Sequence, residues 1–397
     1  MNYTFSDRIS SLQPSVIREI FKVTQDKSVI AFSAGNPSPD SFPVREMDEI
    51  SREILAEGGD ALQYGITEGY TPLRDITRAR YGNKYGIGRD FDDTIIVSGG
   101  QQGIELTTKV LVNEGDAIIC EAPSFIGALN AFRSYKANLA GIPMDDGGID
   151  PERLEQALKT TKNVRFIYLI PTFQNPSGKT MSLERRKQVL ELAEKYSVLI
   201  LEDSPYFELR YSGDYVPPIK SMDDNGRVIY CGSYSKTLSP GMRVGFVTAP
   251  APIIQKIVVA KQVSDVHTNL FFMTLVFRYL EKYDIDAHIE RVRELYRVKR
   301  DHMAACLEKY APRLKFTLPN GGLFLWCELP PTGLGSDGVD FCRVAGRKKV
   351  AAVPGSAFSV DERAVVPAIR LNFSLPDADT IERGCKLLGE AADEYLK

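Results

Sequence analysis

Short apolar runs alternate with stretches of helical period through most of the chain. Runs such as TIIVS, RFIYLI and SVLILED have the length and the β-branched and aromatic content of buried strands. Between them, LERRKQVLELAEKY places its apolar residues at helical spacing. Buried strands that alternate with helices are typical of a parallel sheet covered by helices on both faces. The sequence therefore predicts an α/β fold.

This pattern changes near Asp284. A charged amphipathic helix is predicted from there, with Ile285, Ile289, Val292 and Tyr296 on one stripe, and shorter strands and loops follow it. Because 397 residues exceed what a single core usually fills, we expect two domains. The predicted units are an N-terminal arm with a mobile helix that packs with the small domain over 1–44, a large mostly parallel domain over 45–285, and a small α+β domain over 286–397.

Composition excludes several classes of partner. A net charge of -3 and a charged share of 25% provide no strong electrostatic field that would attract nucleic acid or a membrane surface, so small polar substrates are expected.

The six cysteines show neither C-x-x-C spacing nor C/H clusters, which predicts no disulfide framework and no metal site. The N-terminus lacks the order of a signal peptide, and the apolar stretch NLFFMTLVF meets Arg278 too early to span a bilayer. We expect a cytoplasmic protein.

One predicted strand runs into a glycine-rich turn. TIIVS is followed by SGGQQG and then by a helical stretch, so Ser98 opens the turn and the amides of Gly99, Gly100 and Gln101 lie at a helix N-terminus. Such a turn suits a phosphate. Glycine turns are common in any α/β sheet, so the turn alone does not identify a ligand.

Polar and aromatic side chains follow other predicted strands at the carboxyl end, where open α/β sheets bind ligands. Asp203 could pair with the protonated nitrogen of a pyridine ring in a ligand, or it could cap a turn. Asn175 and Tyr206 could contact a phenolate oxygen on the same ring, although Asn-Pro is also an ordinary turn signal. Phe125 could stack on the ring or belong to the core.

Lys236 lies in the segment RVIYCGSYSKTLSPGMRVGF, just after another predicted strand. A lysine that is buried in a pocket at the end of a strand loses its charge easily. The uncharged amine is the form that makes an imine with an aldehyde. Ser233, Ser235 and Arg243 would complete a phosphate cup, because the arginine adds a fork of charged hydrogen bonds.

In this order the residues resemble the class I aminotransferases of the fold-type I pyridoxal phosphate enzymes, over nearly the whole chain. The pattern S-x-S-K-x-x-x-P-G-x-R ends at Arg243. The resemblance implies that Lys236 binds pyridoxal 5′-phosphate and shuttles a proton, and that Arg370 in IRLNFS grips the substrate α-carboxylate. It also implies that Tyr64, in a Y-x-x-x-x-G segment, reaches the phosphate of a neighbouring subunit in a homodimer. The remaining implied contacts are Asp203 with the pyridine nitrogen, Asn175 and Tyr206 with the phenolate, and Gly100, Gln101, Ser233, Ser235 and Arg243 with the phosphate.

Within that family the chain is similar to the subgroup of 2-aminoadipate, kynurenine and broad-range aromatic or branched-chain aminotransferases, which implies 2-oxoglutarate as the second substrate. Arg18, on the early helix, could meet a distal carboxylate or be an ordinary exposed arginine. The subgroup's G-G-L-P reads Ala34-Gly35-Asn36-Pro37 here, which places an amide beside the substrate-binding Gly35 and puts side-chain preference in doubt.

Three other functions are compatible with parts of this pattern. The letters S-x-x-K also fit penicillin-recognising acyl transferases, but the K-T-G and S-D-N partners are absent from the sequence. A pyridoxal phosphate-binding regulatory domain would require a DNA-binding domain, and only about thirty residues precede SAGNPSP. A carbon-sulfur β-lyase shares most of these residues, and this alternative stays open.

Overall fold

A computed structural model describes residues 3–10, 26, 28–331, 336–361 and 363–397. Its strands are numbered in chain order. They are β1 Ile30–Ala31, β2 Asp92–Val97, β3 Ala117–Ala122, β4 Asn138–Asp145, β5 Gly148–Ile149, β6 Val164–Leu169, β7 Leu199–Asp203, β8 Val228–Ser233, β9 Gly245–Pro250, β10 Lys315–Phe316, β11 Phe324–Glu328, β12 Val350–Ala351, β13 Val353–Pro354 and β14 Ala368–Asn372.

Six of the twelve described helices begin after a side chain that caps them. Asp150, Ser182, Asp284 and Asp377 each accept hydrogen bonds from the first turn of the helix that follows. The helices are α1 Asp7–Ser10, α2 Val44–Ala56, α3 Thr71–Tyr85, α4 Gly100–Leu111, α5 Ile126–Ser134, α6 Pro151–Thr160, α7 Leu183–Lys195, α8 Ala251–Gln262, α9 Leu270–Lys282, α10 Ile285–Tyr310, α11 Gly338–Arg347 and α12 Ala378–Tyr395.

The main sheet has eight strands in the order β2-β9-β8-β7-β6-β3-β4-β5. Its central pairs, from β8 through β7, β6 and β3 to β4, are parallel, whereas β9 and β5 are antiparallel to their neighbours. The apolar runs TIIVS, RFIYLI and SVLILED, predicted as strands, form β2, β6 and β7 of this sheet. The predicted α/β fold class, with a mostly parallel sheet flanked by helices, is confirmed.

Both faces of the main sheet are buried. On β6, Phe166 and Tyr168 pack into one core cluster, while Ile167 and Leu169 pack into another on the opposite face. Successive side chains of a strand point to opposite faces, so a strand covered on both faces needs an unbroken apolar run. This is why these segments do not alternate in polarity.

A second sheet lies toward the C-terminus. Strands β10, β11, β14 and β13 form four antiparallel strands in that order. The early strand β1 pairs in parallel with β12, so the chain near its start joins the C-terminal part. Helix α10 contributes to two cores, because Ile285 and Ile289 pack with the large sheet and Val292 and Tyr296 pack with the second.

The described residues contain neither a membrane-spanning helix nor a metal-binding cluster. Within these ranges, no helix has the length and apolar character needed to cross a bilayer. The same part of the chain brings together no group of three or more histidine, cysteine, aspartate or glutamate side chains that could hold a metal ion.

Candidate active site

A cavity of about 330 Å³ opens at the carboxyl ends of the parallel strands. Strands β2, β3, β6, β7 and β8 all end there, and β14 of the second sheet supplies the opposite wall. This common edge brings together residues that are far apart in sequence. Twelve of the sixteen predicted site residues line it: Gly35, Gly100, Gln101, Phe125, Asn175, Asp203, Tyr206, Ser233, Ser235, Lys236, Arg243 and Arg370.

Lys236 follows β8 and points into the cavity. Its Nζ donates a hydrogen bond to the carbonyl oxygen of Gly35 at 2.9 Å. Burial and, to a lesser extent, the positive charges of Arg370 and Arg243 together lower the pKa of the lysine to about 8. More of the amine is therefore neutral near neutral pH than in an ordinary lysine, and the neutral amine is the form that attacks a carbonyl carbon.

Asp203 is the last residue of β7. Burial raises the pKa of its carboxyl group to about 7, although a hydrogen bond from Tyr168 at 2.7 Å opposes this change. A buried carboxylate with no cation beside it is costly. It would be stabilised by a ligand that presents a positively charged nitrogen.

Arg370 lies on β14 and is 3% exposed. Its Nη1 donates to Asn175 Oδ1 at 2.9 Å and its Nη2 donates to the carbonyl oxygen of Ser33 at 3.1 Å. The guanidinium carbon lies 4.1 and 4.9 Å from the ring centroids of Phe324 and Phe358. These contacts fix the orientation of the arginine without neutralising it.

The charge of Arg370 has no carboxylate partner among the described residues, and its buried Nε has no hydrogen-bond partner there. Burial lowers its pKa to about 10, so it stays protonated at neutral pH. A buried, unpaired guanidinium is suited to bind a carboxylate of a ligand through two parallel hydrogen bonds.

The glycine turn and Arg243 form a cradle of the kind that binds a phosphate. Arg243 Nη2 donates to the carbonyl oxygen of Ser98 at 3.0 Å. Gly99 has a φ of 81°, and a Cβ atom there would lie 2.3 Å from Arg243 Nη2. Glycine is therefore required at this position. Helix α4 begins at Gly100, so its first amides face the same space as Ser233 and Ser235.

Three predicted residues that the structure describes do not line the cavity. Ser98 and Gly99 lie behind it and shape the turn. Tyr64 is 81% exposed on the surface of this chain, with its ring edge against His267. Arg18 lies outside the described residues, so its predicted role stays a prediction.

Several residues at the site were not predicted from the sequence. Ser33, Phe324 and Phe358 contact Arg370, and Tyr168 contacts Asp203. Tyr168 and the phenylalanines look like core residues in the sequence. Only their tertiary contacts distinguish them.

A polar network behind the glycine turn was also missed. Asp265 accepts hydrogen bonds from Ser98 Oγ at 2.9 Å, from Gln102 Nε2 at 2.7 Å and from the buried Lys261 at 2.8 Å. Gln102 in turn accepts from the backbone amide of Ser98 at 2.7 Å. The network fixes the turn from the side opposite the cavity. The segment QVSDVHTN, which contains Asp265, was the available signal.

The sequence of this chain matches one protein family and is similar to two members of related function. The family described as aminotransferase class I and II matches residues 27–388. Aromatic-amino-acid aminotransferase 1 of Thermococcus litoralis is 42% identical over 99% of this chain and 95% of its own length. The 2-aminoadipate transaminase of Thermus thermophilus is 37% identical over 99% of this chain and 97% of its own length.

A solved structure agrees with these sequence relatives. The kynurenine aminotransferase of Pyrococcus horikoshii, in complex with PMP, superposes with a TM-score of 0.94 at 41% identity. The match covers 99% of this chain and 98% of that one.

Proposed function

Because the chain belongs to the class I and II aminotransferases, we propose that it moves the amino group of an aminoadipate-like, aromatic or branched-chain L-amino acid to 2-oxoglutarate. The enzyme is a pyridoxal 5′-phosphate-dependent aminotransferase. The donor range is supported by relatives named for aromatic amino acids, 2-aminoadipate and kynurenine. The choice of 2-oxoglutarate rests on the family resemblance.

One observation supports the proposal most strongly. A lysine with a lowered pKa and a buried arginine without a carboxylate partner face the same cavity. Transamination needs both groups, since an amino acid presents an α-carboxylate for binding and an α-proton for removal.

The residues present fit the cofactor. We assign its phosphate to Ser233, Ser235, Arg243 and the amides of Gly100 and Gln101, because the glycine turn leaves a cradle that a side chain would fill. Asp203 would hold the ring nitrogen and Lys236 the aldehyde carbon. Asn175 and Tyr206 would contact the phenolate oxygen, and Phe125 would cover a ring face.

When bound, the cofactor supplies an aldehyde carbon for amine exchange and a pyridine ring that withdraws electrons from the substrate Cα. Lys236 Nζ accepts the substrate α-proton in its neutral form and delivers that proton in its charged form. The lowered pKa of the lysine keeps both forms accessible near neutral pH.

Arg370 binds and orients the substrate. Asn175 Oδ1 and the carbonyl oxygen of Ser33 hold the guanidinium plane, and Phe324 and Phe358 exclude water from its faces. Because Asn175 Oδ1 accepts from the arginine, the Nδ2 atom of the same side chain remains to donate to the cofactor. The α-carboxylate and the ring are thereby placed by adjoining groups.

Lys236→Ala is expected to abolish transamination and covalent attachment of the cofactor. Borohydride reduction followed by peptide mapping should locate pyridoxal phosphate on Lys236 in the wild type and on no residue of the variant. Lys195→Ala, at a side chain that is 61% exposed, is the control and should behave as wild type. A Lys236→Ala protein with wild-type turnover would overturn the assignment.

A half-reaction screen across amino acids tests the donor range. Conversion of the enzyme to its pyridoxamine form marks each accepted donor, and 2-oxoglutarate should reverse it. Release of ammonia and pyruvate instead would indicate a β-lyase and contradict the proposed transamination.

We also propose a homodimer with shared active sites, acting in the biosynthetic metabolism of amino acids in the cytoplasm. The dimer is supported by the exposed surface around Tyr64, where Leu62 is 69% and Ile66 is 52% exposed. The location is supported by six cysteines that are all free thiols, as expected in a reducing compartment.

A further inference from the structure

Tyr168 stands behind Asp203, outside the cavity. Its hydroxyl donates to Asp203 Oδ2 at 2.7 Å, and the two residues are 0% and 4% exposed. The other carboxylate oxygen, Oδ1, lies 4.0 Å from the point that a Cβ atom on Gly100 would occupy, at the cavity wall. One oxygen of the carboxylate thus accepts the tyrosine hydroxyl, and the other lies at the cavity wall.

The register of the main sheet fixes this pair. Tyr168 on β6 pairs with Leu201 on β7, and Asp203 lies two residues further along the same strand. Side chains two residues apart share a face of the sheet, so the tyrosine and the aspartate are diagonal neighbours. Phe132 packs edge-on against the tyrosine ring, with centroids 5.2 Å apart, and holds it in place.

Three acidic groups that surround Asp203 have raised pKa values and supply no positive charge to its carboxylate. Burial raises the pKa of Glu121, at the end of β3, to about 8, and it raises the pKa of Cys231 on β8 and of Tyr206 well above the neutral range. Burial of Asp203 itself favours its neutral acid. Among the described neighbours, the Tyr168 hydroxyl is therefore the group that stabilises the ionised carboxylate.

We propose that Tyr168 is a positioning residue for cofactor binding. Its hydroxyl keeps Asp203 ionised, with Oδ1 turned toward the cavity, so that the carboxylate accepts a hydrogen bond from the protonated ring nitrogen of the cofactor. This inference rests on the role proposed above for Asp203.

The test is Tyr168→Phe, with pyridoxamine 5′-phosphate as the probe. Loss of a hydrogen bond to a charged group should weaken binding at pH 7 by roughly tenfold or more. With the probe labelled with ¹⁵N at the ring nitrogen, its resonance in the holoenzyme should move toward the unprotonated position, because a more basic Asp203 retains more of the shared proton. A purely structural role for Tyr168 would not move this resonance.

Tyr81→Phe is the matched control. Tyr81 is also a buried tyrosine, and its hydroxyl donates at 3.0 Å to the carboxylate of Glu208, which lies outside the cavity. This variant should keep the wild-type affinity and ¹⁵N shift. If Tyr168→Phe gives the same result as Tyr81→Phe, the inference is overturned.

The variant Asp203→Asn distinguishes the proposed role of Asp203 from the proposed role of Tyr168. If this variant binds the probe as wild type does, the role of Asp203 itself is wrong. If Asp203→Asn weakens binding and Tyr168→Phe does not, only the role of Tyr168 is wrong. In the Asp203→Asn background, Tyr168→Phe should have no further effect on the resonance.

Discussion

The reactive side chains of this enzyme are buried without partners of opposite charge. Lys236 donates to a carbonyl oxygen, Asp203 accepts from a neutral hydroxyl, and Arg370 contacts an amide, a carbonyl oxygen and two rings. Each charge destabilises the protein when the cavity is empty, because burial is not offset by an ion pair. Each would be neutralised by one part of the ligand.

Asp203→Asn should therefore stabilise the cofactor-free protein at alkaline pH. The carboxyl pKa is raised from 3.8 to about 7 by burial, so the folded protein holds a proton that the unfolded chain has lost. The stabilisation that the protonated carboxyl group contributes is fully present below a pH of about 3.8, and it is lost as the pH rises through about 7. At pH 8 we expect the variant to gain about 1–3 kcal/mol of unfolding free energy.

Denaturant unfolding between pH 4 and pH 8 measures this difference. The gap between Asp203→Asn and wild type should widen as the pH rises. Asp224→Asn, at a side chain that is 76% exposed, should show no such widening. If the unfolding free energies of Asp203→Asn and wild type change with pH in parallel, the prediction is contradicted.

Among single residues, the sequence predicts the polar side chains that lie at or near the ends of apolar runs. Asp203 ends an apolar run, and Asn175 and Lys236 each follow an apolar run within about five residues. Tyr168 and Phe324 continue such runs, so composition gives them no special status. Their contacts with Asp203 and Arg370 depend on strand register and on the meeting of two sheets.

Among the elements, the turn between β2 and α4 is the most constrained. The cavity-facing amides require the positive φ of Gly99, and the network of Asp265, Lys261 and Gln102 anchors the turn to α8 from behind. Preorganised amides bind an anion without paying for loop ordering at the moment of binding.

Gly99→Ala is expected to weaken binding of pyridoxamine phosphate by about tenfold or more, since strain and displacement of Arg243 both disfavour the bound geometry. A Cβ atom would lie 2.3 Å from Arg243 Nη2. Gly346→Ala is the control, because no atom lies within 4 Å of its added Cβ. Fluorescence titration of the cofactor-free proteins measures the effect, and equal affinities in the two variants would refute it.

The apolar runs predicted the central strands of the sheet well, because strands buried on both faces need unbroken apolar sequence. Strand β4 was missed, since its residues NLAGIPMD are mostly half-exposed at the margin of the sheet. The reversed direction of β9 was not predicted either. Strand direction is set by how a connection crosses the sheet, and the apolar content of VGFVTA is the same in both directions.

At the scale of the whole molecule, the N-terminal segment returns to the C-terminal part. Strand β1 pairs with β12, and Phe32 packs in the same core as residues of β11 and β14. Helix α10 spans the boundary that we predicted near residue 285 and serves both cores. The domain boundaries stay a prediction.

Hybrid dimers test whether active sites are shared. Tyr64→Ala and Lys236→Ala proteins, dissociated together and reassociated, should recover about a quarter of the wild-type activity per site, because half of the dimers contain one intact site. Size-exclusion chromatography and transamination assays measure the outcome. Tyr215→Ala, at another exposed tyrosine, should be as active as wild type. A mixture no more active than its two parents would argue against shared sites.

Local chemistry in the sequence predicts the α/β class, the shorter strands of the C-terminal part and the polar residues at the strand ends, since apolar period specifies strands and helices, and polar residues at strand ends indicate a binding edge. Arg370 and Gly35 were predicted from the family resemblance. The tertiary structure alone decided which charges are unpaired, which oxygen of Asp203 is free and which aromatic rings enclose Arg370. Burial and hydrogen-bond partners depend on groups that are distant in the chain, so no local pattern encodes them.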